Sequence, residues 1–334
     1  MTATILGLDI SKDKFHAALL KTQKKASVQV FENSWDGFEQ LQHWLLKQSA
    51  EKVHACLEAT SIYGHPVATY LYHQGHTVSI VNPSRIKGFA QSRLSRTKND
   101  RADATTIACF CAALQPQAWT PPTPELAKLQ GYSRRLQALE KMKTQEQNRL
   151  QISDPELTTD IQEHIEFLEQ QMVSIKKRQQ ALIVESSTLH EQQQLLTSIV
   201  GIGEKTAVII LSEIGSIEQF TSARQLAAFV GLTPQEHQSG TSVKGKTRLC
   251  KIGNPHVRKA LYFPALTAIR YSPQIQALRK RFLEAGKNKM QIVGIVMHKL
   301  IRIVYGVLKS GKPFEPQKLE FSPSHAGDTI LAAS

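Results

Sequence analysis

Two carboxylates, Asp100 and Asp103, lie in a strongly basic stretch of the sequence, residues 85–106. They are three residues apart in a segment that favours helix, so both side chains point to one face. Acids inside a basic field are typical of hard-metal ligands beside a polyanion. A plain helix N-terminus, where the helix dipole favours Asp, is the alternative. The cations of the stretch, which we predict to contact nucleic acid, are Arg85, Lys87, Arg93, Arg96, Lys98 and Arg101.

The overall charge also favours an anionic partner. The chain has 334 residues and a net charge of +13, which makes nucleic acid the leading partner and an anionic membrane the second. The longest apolar stretch, residues 292–308, is interrupted by His298, Lys299 and Arg302. We therefore expect no membrane partner and a cytoplasmic, nucleoid-associated protein. No disulfide or zinc spacing relates the cysteines, which fits a reduced cytosol; they are Cys56, Cys109, Cys111 and Cys250.

Two more acids end predicted strands. Asp9 lies near the end of an apolar strand at residues 5–11, and Glu58 ends a fourth strand at residues 53–58. The predicted order is β, β, β, α, β, α, β, α, which indicates a mixed α/β, ribonuclease-H-like N-terminal domain. In that fold the first and fourth strands can be neighbours, so Asp9 and Glu58 could meet under the helix that carries the other two acids. Four carboxylates repel one another unless cations are present, which predicts two Mg²⁺ ions.

The rest of the chain is predicted to be helical. A proline-rich segment at 120–124 separates the N-terminal domain, 1–120, from a helical arm, 121–190. A helical domain follows at 191–318, and a flexible tail at 319–334. Apolar residues in the arm alternate in steps of four and three, which favours a coiled-coil dimerisation arm; a hairpin packed on its own domain is the alternative. These apolar positions are Leu129, Tyr132, Leu136, Leu139, Ile161, Ile165, Leu168, Met172, Ile175 and Leu182.

Residues 195–207 resemble a helix–hairpin–helix motif. Gly201 and Gly203 allow a tight turn between two helices, after which backbone N–H groups near Lys205 can hold a phosphate without reading sequence. A simple turn between two helices is the alternative.

A polar segment at residues 233–242 has no periodicity and is predicted to be a loop, after a helix over 220–232. Its Ser239 precedes glycine, and a serine hydroxyl can attack a phosphodiester if a base or metal activates it and cations stabilise the transition state. Ser242 is the competing serine, and His237 and His256 either assist, contact phosphate or are ordinary surface residues. A basic run follows this segment, with the predicted nucleic-acid contacts Lys244, Lys246, Arg248, Lys251, Arg258 and Lys259.

Four blocks of the sequence resemble the DEDD transposases of the one-hundred-and-ten insertion-sequence family, to which the Piv-type DNA invertases are also similar. The blocks are LGLDISK at 6–12, LEATSIY at 57–63, VNP at 81–83 and KNDRADA at 98–104. The resemblance covers nearly the whole chain. One departure is Asn99, which stands where the family often has Thr and leaves the four acids unchanged.

The resemblance implies a transposase or site-specific recombinase with a RuvC-like domain. It implies that Asp9, Glu58, Asp100 and Asp103 are catalytic Mg²⁺ ligands, and that Ser239 is the nucleophile that links covalently to DNA. It also implies a structured bridge RNA as guide, and a dimer or tetramer formed through the arm. The acids and Ser239 would then form one composite site, built within a subunit or between subunits.

Three other classes of protein remain open on the residues alone. A purely hydrolytic junction resolvase of the same fold would use water in place of Ser239. In an actin-like ATPase, residues 7–11 could begin a phosphate-binding loop. The sequence, however, has no second glycine-rich phosphate-binding segment in the right place. A nonenzymatic nucleic-acid-binding protein would not need the four acids.

Overall fold

The structure is a computed structural model that describes residues 4–22, 25–59, 62–93, 99–235, 238–239, 243–244 and 248–316. The chain divides into two units, 1–121 and 122–334. The division lies inside the proline-rich segment at 120–124. The predicted tail, 319–334, lies outside the described residues.

A mixed five-stranded sheet forms the first unit, with the strand order β3-β2-β1-β4-β5. Strands β1, β2 and β3 pair antiparallel, whereas β4 pairs parallel with both β1 and β5. This confirms the predicted mixed α/β sheet and is consistent with a ribonuclease-H-like fold. The elements are β1 (Thr4–Ile10), β2 (Lys14–Thr22), β3 (Lys25–Glu32), α1 (Trp35–Lys47), β4 (Val53–Glu58), α2 (His65–His73), β5 (Thr77–Val81), α3 (Pro83–Ser92) and α4 (Asp100–Leu114).

Helices cover both faces of this sheet. Alternate residues such as Leu6 and Leu8 of β1 pack in a core with α1 and α2. The residues between them face α3 and α4, and there Cys56 of β4 packs with Phe110 and Cys111 of α4. Because side chains alternate along a strand, Asp9 and Glu58 belong to the face that α4 covers. All four cysteines are free thiols.

Polar caps fix where the helices of the first unit begin. Ser34, the N-cap of α1, accepts a hydrogen bond from the Gly37 N–H at 3.2 Å. Helix α2 begins at His65, after a short 3-10 turn at Ile62–Gly64, and Pro66 occupies its first turn.

Helices dominate the second unit, as predicted. Helix α9 is shorter than the helix expected over 220–232, because Ser222 caps its start in an extended conformation and Gly231 ends it in the left-handed conformation. The elements are α5 (Pro124–Leu150), α6 (Thr158–Glu185), α7 (Ser187–Thr197), α8 (Glu204–Ile214), α9 (Ala223–Val230), β6 (Pro234–Gln235), β7 (Gln238–Ser239), β8 (Val243–Lys244), β9 (Arg248–Leu249), α10 (Pro255–Ala260), α11 (Tyr262–Tyr271), α12 (Pro273–Glu284) and α13 (Lys289–Ser310).

The segment predicted as a loop at 233–242 contains strands. Strands β6 and β9 pair antiparallel, and β7 and β8 pair antiparallel inside them. The loop prediction was wrong for these residues because two-residue strands are too short to show alternation. Helix α10, which Asn254 caps, was also not predicted, because six residues are too few to show a helical period.

Helices α5 and α6 form an antiparallel hairpin through the predicted apolar stripes. Leu139 of α5 packs against Leu168, Met172 and Ile175 of α6. The Gln179 amide donates a hydrogen bond to the Ser133 hydroxyl at 3.0 Å in the same buried seam. The stripes therefore have an intramolecular partner, and the coiled-coil periodicity alone does not require a second chain.

The long apolar helix α13 lies at the centre of the core of the second unit. Among the described residues it is the one helix long and apolar enough to cross a membrane by length and composition. Ten of its residues are buried, and they pack with residues of α7, α8, α9 and α11. Its hydrophobicity is thereby explained by the core of this unit.

The hairpin of α5 and α6 generates a stability test. We expect Leu168→Ala to lower the free energy of unfolding by roughly 2–5 kcal/mol because it opens a cavity in the seam. Phe167→Ala is the matched control, since the neighbouring Phe167 is 54% exposed, and it should cost less than about 1 kcal/mol. Urea unfolding at several protein concentrations measures both variants. A Leu168→Ala loss that depends on protein concentration would show that the seam is intermolecular.

Candidate active site

Adjacent strands carry Asp9 and Glu58 to the same edge of the sheet. The parallel register of β1 and β4 pairs Leu8 with Leu57, and Asp9 and Glu58 are the next residues on each strand. On the other side of β1, Asp9 pairs with His16 of β2. These three side chains share the face that α4 covers.

Gly7 allows α4 to lie directly on β1. A Cβ atom at Gly7 would stand 2.2 Å from the Ala104 carbonyl oxygen and 2.4 Å from the Ala108 backbone nitrogen. Both are backbone atoms of α4, so any side chain here would push the helix away from the strand. The glycine two residues before Asp9 therefore sets how near α4 comes to the strand acid.

The first turn of α4 supplies the remaining acids. Asn99 caps the helix by accepting a hydrogen bond from the Ala102 N–H at 2.8 Å. A threonine would cap the helix by the same interaction, so Asn99 retains a function that the common residue of the family can perform. Asp100 and Asp103 follow in the first turn, where the helix dipole stabilises negative charge.

The electrostatics show that the four acids are brought together. Burial raises the pKa of Asp9 above its ordinary value, and the carboxylates of Asp103 and Asp100 raise it further, while His16 lowers it. Burial also raises the pKa of Glu58, with smaller contributions from Asp9 and Asp103. Each acid thus interacts with at least one of the others.

His16 is a neighbour of these acids that the sequence reasoning missed. It is 8% exposed, and its Nδ1 lies 3.7 Å from the Oδ2 of Asp100. Its position opposite Asp9 in the first hairpin is the signal that could have found it. A protonated His16 would offset part of the negative charge.

A divalent metal fits the chemistry of this site. Four carboxylates offer the oxygen donors that Mg²⁺ prefers, and their repulsion is relieved by a cation. Among the described residues, no three or more His, Cys, Asp or Glu side chains converge closely enough to form a complete metal site as they stand. The residues that would hold the metal are Asp9, Glu58, Asp100 and Asp103.

Cations of the basic stretch lie on the helices next to the acids. Arg85 and Lys87 are exposed on α3, Arg93 caps that helix, and Arg101 lies between the two acids of α4. The Arg85 guanidinium stacks over Phe110 of α4 at 5.4 Å. The other two predicted contacts, Arg96 and Lys98, lie outside the described residues.

Ser239 belongs to the second unit, in the inner strand β7 of the hairpin. The structure describes its backbone, which pairs with Val243 of β8. Its competitor Ser242 lies outside the described residues, and so do His237 and Lys246. His256 is exposed in the first turn of α10.

The predicted nucleic-acid contacts of the second unit have different surroundings. Arg258 is half-buried and donates a hydrogen bond to the Val230 carbonyl at 2.8 Å, which gives it a structural contact. Lys205 at the start of α8 forms an ion pair with Glu140 at 2.8 Å. The exposed cations are Arg248, Lys251 and Lys259, and the backbone of Lys244 lies in β8.

The turn between α7 and α8 depends on its first glycine. Gly201 has φ +97°, and a Cβ there would stand 2.4 Å from the Pro264 carbonyl oxygen. Gly203 precedes α8 with open space around it. The geometry explains why glycine is needed at 201, and the helix–hairpin–helix motif remains a prediction.

A mixed sheet with acids at adjacent strand ends and on a crossing helix is consistent with a ribonuclease-H-like transposase of the DEDD class. Residues 6–152 match the IS110-type DEDD transposase model, and residues 193–280 match the transposase IS116/IS110/IS902 family. The pilin gene-inverting protein of Moraxella bovis is 31% identical over 319 residues, which cover 94% of this chain and 98% of the relative.

Two further relatives are transposases. A probable family 20 transposase of Pseudomonas aeruginosa is 23% identical over 95% of this chain and all of its own length. The transposase for insertion sequence element IS1328 of Yersinia enterocolitica is 24% identical over 77% of this chain and 81% of its own length. The chain belongs to the IS110 family of transposases, which cleave and rejoin DNA and whose DEDD domain uses divalent metal.

The contact at Gly7 generates a test of how α4 is positioned. Gly7→Ala should reduce metal-dependent DNA cleavage at least about tenfold and cost about 1–3 kcal/mol of stability, because α4 must move off β1. Gly88→Ala is the matched control, because nothing lies within 4 Å of a Cβ on that helical glycine. Cleavage assays and urea unfolding of both variants measure the effects. Full cleavage by Gly7→Ala would contradict the importance of the close approach.

Repulsion among the acids generates a test of stability. Because the folded protein raises the pKa values of Asp9 and Glu58, it binds more protons than the unfolded chain, so stability falls as pH rises above their ordinary values. Asp9→Asn and Glu58→Gln should therefore raise the urea midpoint of the metal-free protein at pH 7, with a smaller gain at about pH 4. Glu51→Gln changes an exposed residue in a bend and should leave the urea midpoint unchanged. A lower midpoint for both site variants would contradict a stability cost from the burial and mutual repulsion of these charged acids.

Proposed function

We propose that this transposase cuts and rejoins DNA through a composite site. In this proposal Asp9, Glu58, Asp100 and Asp103 hold two Mg²⁺ ions, and Ser239 is the nucleophile. The observation that carries the first part is that α4 and two neighbouring strands bring four acids together, where repulsion contributes to the raised pKa values of Asp9 and Glu58. The second part rests on the resemblance of the Ser239 segment to the family and on its basic surroundings.

The proposed cleavage is a transesterification. The Ser239 Oγ attacks the phosphorus of a DNA phosphodiester and loses its proton, while the bond from phosphorus to one deoxyribose oxygen breaks and that oxygen gains a proton. A phosphoserine link conserves the energy of the phosphodiester. A DNA hydroxyl can then attack the same phosphorus and release Ser239, which permits strand exchange without an external energy source.

The four acids supply the environment for this chemistry. When bound there, Mg²⁺ would neutralise charge on the phosphoryl oxygens and lower the pKa of an attacking hydroxyl. The carboxylates would hold and orient the cations on the face of the sheet that α4 covers, where Asp9, Glu58 and Asp103 are half-buried. The His16 imidazole lies beside this cluster, with its Nδ1 3.7 Å from the Asp100 Oδ2.

Exposed cations would bind the nucleic acids. Arg85, Lys87, Arg93 and Arg101 belong to the helices beside the acids, and the basic run of the second unit follows Ser239 in the sequence. These charges suit DNA and also suit a structured guide RNA, which the resemblance to the family implies. The name of the Moraxella bovis relative describes inversion of a gene, so DNA inversion and transposition are both outcomes that this chemistry supports.

The proposal includes an oligomer as the active form of the protein. The acids lie in the first unit and Ser239 in the second, so a composite site can be completed by one subunit or by two. The hairpin of α5 and α6 leaves the outer face of α6 exposed, with Phe167 and Val173 on its surface. A dimer or tetramer through this arm, acting on DNA in the bacterial cytoplasm, is part of the proposal.

The serine mechanism is tested by trapping the covalent intermediate. The purified protein is incubated with Mg²⁺, with supercoiled DNA that bears the ends of the insertion element encoding it, and with the RNA transcribed from the flank of that element. This reaction should give a protein–DNA adduct on denaturing gels. Ser239→Ala should abolish the adduct, because no Oγ remains to bond phosphorus. Asp9→Ala should lower adduct formation at least about 100-fold, because it removes a metal ligand.

Ser242→Ala is the matched control for the nucleophile and should form the adduct normally. If DNA is cleaved without any adduct, and this cleavage persists in Ser239→Ala, the protein is instead a hydrolytic nuclease that uses water. An adduct lost in Ser242→Ala and kept in Ser239→Ala would assign the nucleophile to Ser242.

A further inference from the structure

A buried carboxylate lies in the core of the second unit. Glu213 of α8 is 8% exposed, and its Oε2 accepts a hydrogen bond from the Asn254 side-chain amide at 2.7 Å. Its Oε1 is buried and has no hydrogen-bond partner among the described residues. Burying a carboxylate with incomplete hydrogen bonding costs stability, so Glu213 is retained in this core at a cost to the free energy of unfolding.

Asn254 uses its polar groups to join three segments. Its Nδ2 donates to Glu213, and its Oδ1 accepts from the N–H groups of His256 at 2.9 Å and Val257 at 3.1 Å, which caps α10. Its own backbone N–H donates to the Phe229 carbonyl at 2.7 Å. The side chain of Glu213 thereby fixes which way the Asn254 amide points and which atom caps the helix.

Asn254 lies at the base of the hairpin that carries Ser239. We call this base, residues 231–233 and 250–254, the foot. Two backbone hydrogen bonds join the two sides of the foot. The Lys251 N–H donates to the Gly231 carbonyl at 3.2 Å, and the Cys250 N–H donates to the Thr233 carbonyl at 2.9 Å. Farther along the two segments, β6 pairs with β9 and β7 pairs with β8, and Ser239 lies in β7. A displaced foot would therefore displace the strand that bears the serine.

The foot is packed too tightly to absorb such a displacement. A Cβ at Gly253 would stand 2.3 Å from the Phe229 carbonyl oxygen, and one at Gly231 would stand 2.6 Å from the Arg258 Nη1. The Arg258 guanidinium is itself bonded to the Val230 carbonyl. Backbone from both sides of the hairpin meets here without room for a side chain.

We propose that Glu213 is a positioning residue, which orients Asn254 and through it holds the Ser239 hairpin in its reactive place. This inference rests on the proposed function, because it takes Ser239 as the nucleophile. Glu213 does not contact DNA or the reacting atoms in this proposal. Its effect is on the placement of the serine.

The choice of asparagine at 254 makes the pair testable. Aspartate caps helices as well as asparagine does, so Asn254→Asp preserves the cap of α10. It removes the donor to Glu213, however, and puts two carboxylates in hydrogen-bond contact, where they repel. In the reciprocal double variant E213Q/N254D, the amide introduced at position 213 can donate to the carboxylate introduced at position 254. This exchange restores one hydrogen bond with its direction reversed.

The experiment measures two quantities for each variant: the single-turnover rate of the covalent adduct at saturating DNA, and the Kd for DNA. Asn254→Asp should lower the rate at least about tenfold and change the Kd less than about threefold. E213Q/N254D should return the rate to within about threefold of wild type. Asn288→Asp is the matched control, since Asn288 caps α13 in the same way without a buried acid as partner, and it should behave as wild type.

Two results would overturn the inference. One is an Asn254→Asp rate equal to that of Asn288→Asp, and the other is a double variant as slow as Asn254→Asp alone. If Asn254→Asp does not fold, Glu213→Ala takes its place, because it removes the acceptor without adding charge; an unchanged rate there also overturns the inference. An absence of adduct in wild type would instead reject the serine mechanism itself.

Discussion

The first unit depends on the contact between a helix backbone and a strand at Gly7. Helix α4 lies against β1 at a distance that no side chain at this position would permit. That approach brings the first turn of α4 to the strand-end acids Asp9 and Glu58. A sheet with the same strands and a helix a few ångströms higher would lose the cluster of acids together with the packing of α4 on the sheet.

Charge at this cluster conflicts with the stability of the fold. Burial and mutual repulsion both disfavour the ionised forms of Asp9 and Glu58, so the metal-free protein retains acids that weaken it. Enzymes commonly accept such a cost at sites that bind cations or do chemistry. Glu213 in the second unit follows the same logic, because a buried carboxylate there gives up stability while it orients Asn254.

The apolar periodicity predicts where the helices are, but it does not predict what they pack against. The stripes on α5 and α6 have coiled-coil spacing, and they pack against each other within one chain. A seam between two helices has the same pattern whether the helices belong to one chain or two, because only the facing residues matter. Similarly, α13 is as apolar as a membrane helix, since a helix at the centre of a core is covered on most sides.

Most elements of the first unit, the acids at their ends and the family could be predicted from the residues, because alternation, caps and short motifs are local properties. Helix α3 was missed in the basic stretch, and so was His16, although its place opposite Asp9 in the first hairpin could have indicated it. Two features could not be predicted: the strands around Ser239, and the pairing of Glu213 with Asn254, which are 41 residues apart. They emerge in the folded chain, since each depends on which backbones lie side by side. Residues distant in sequence carry no mutual signal until strand register and helix packing bring them into contact.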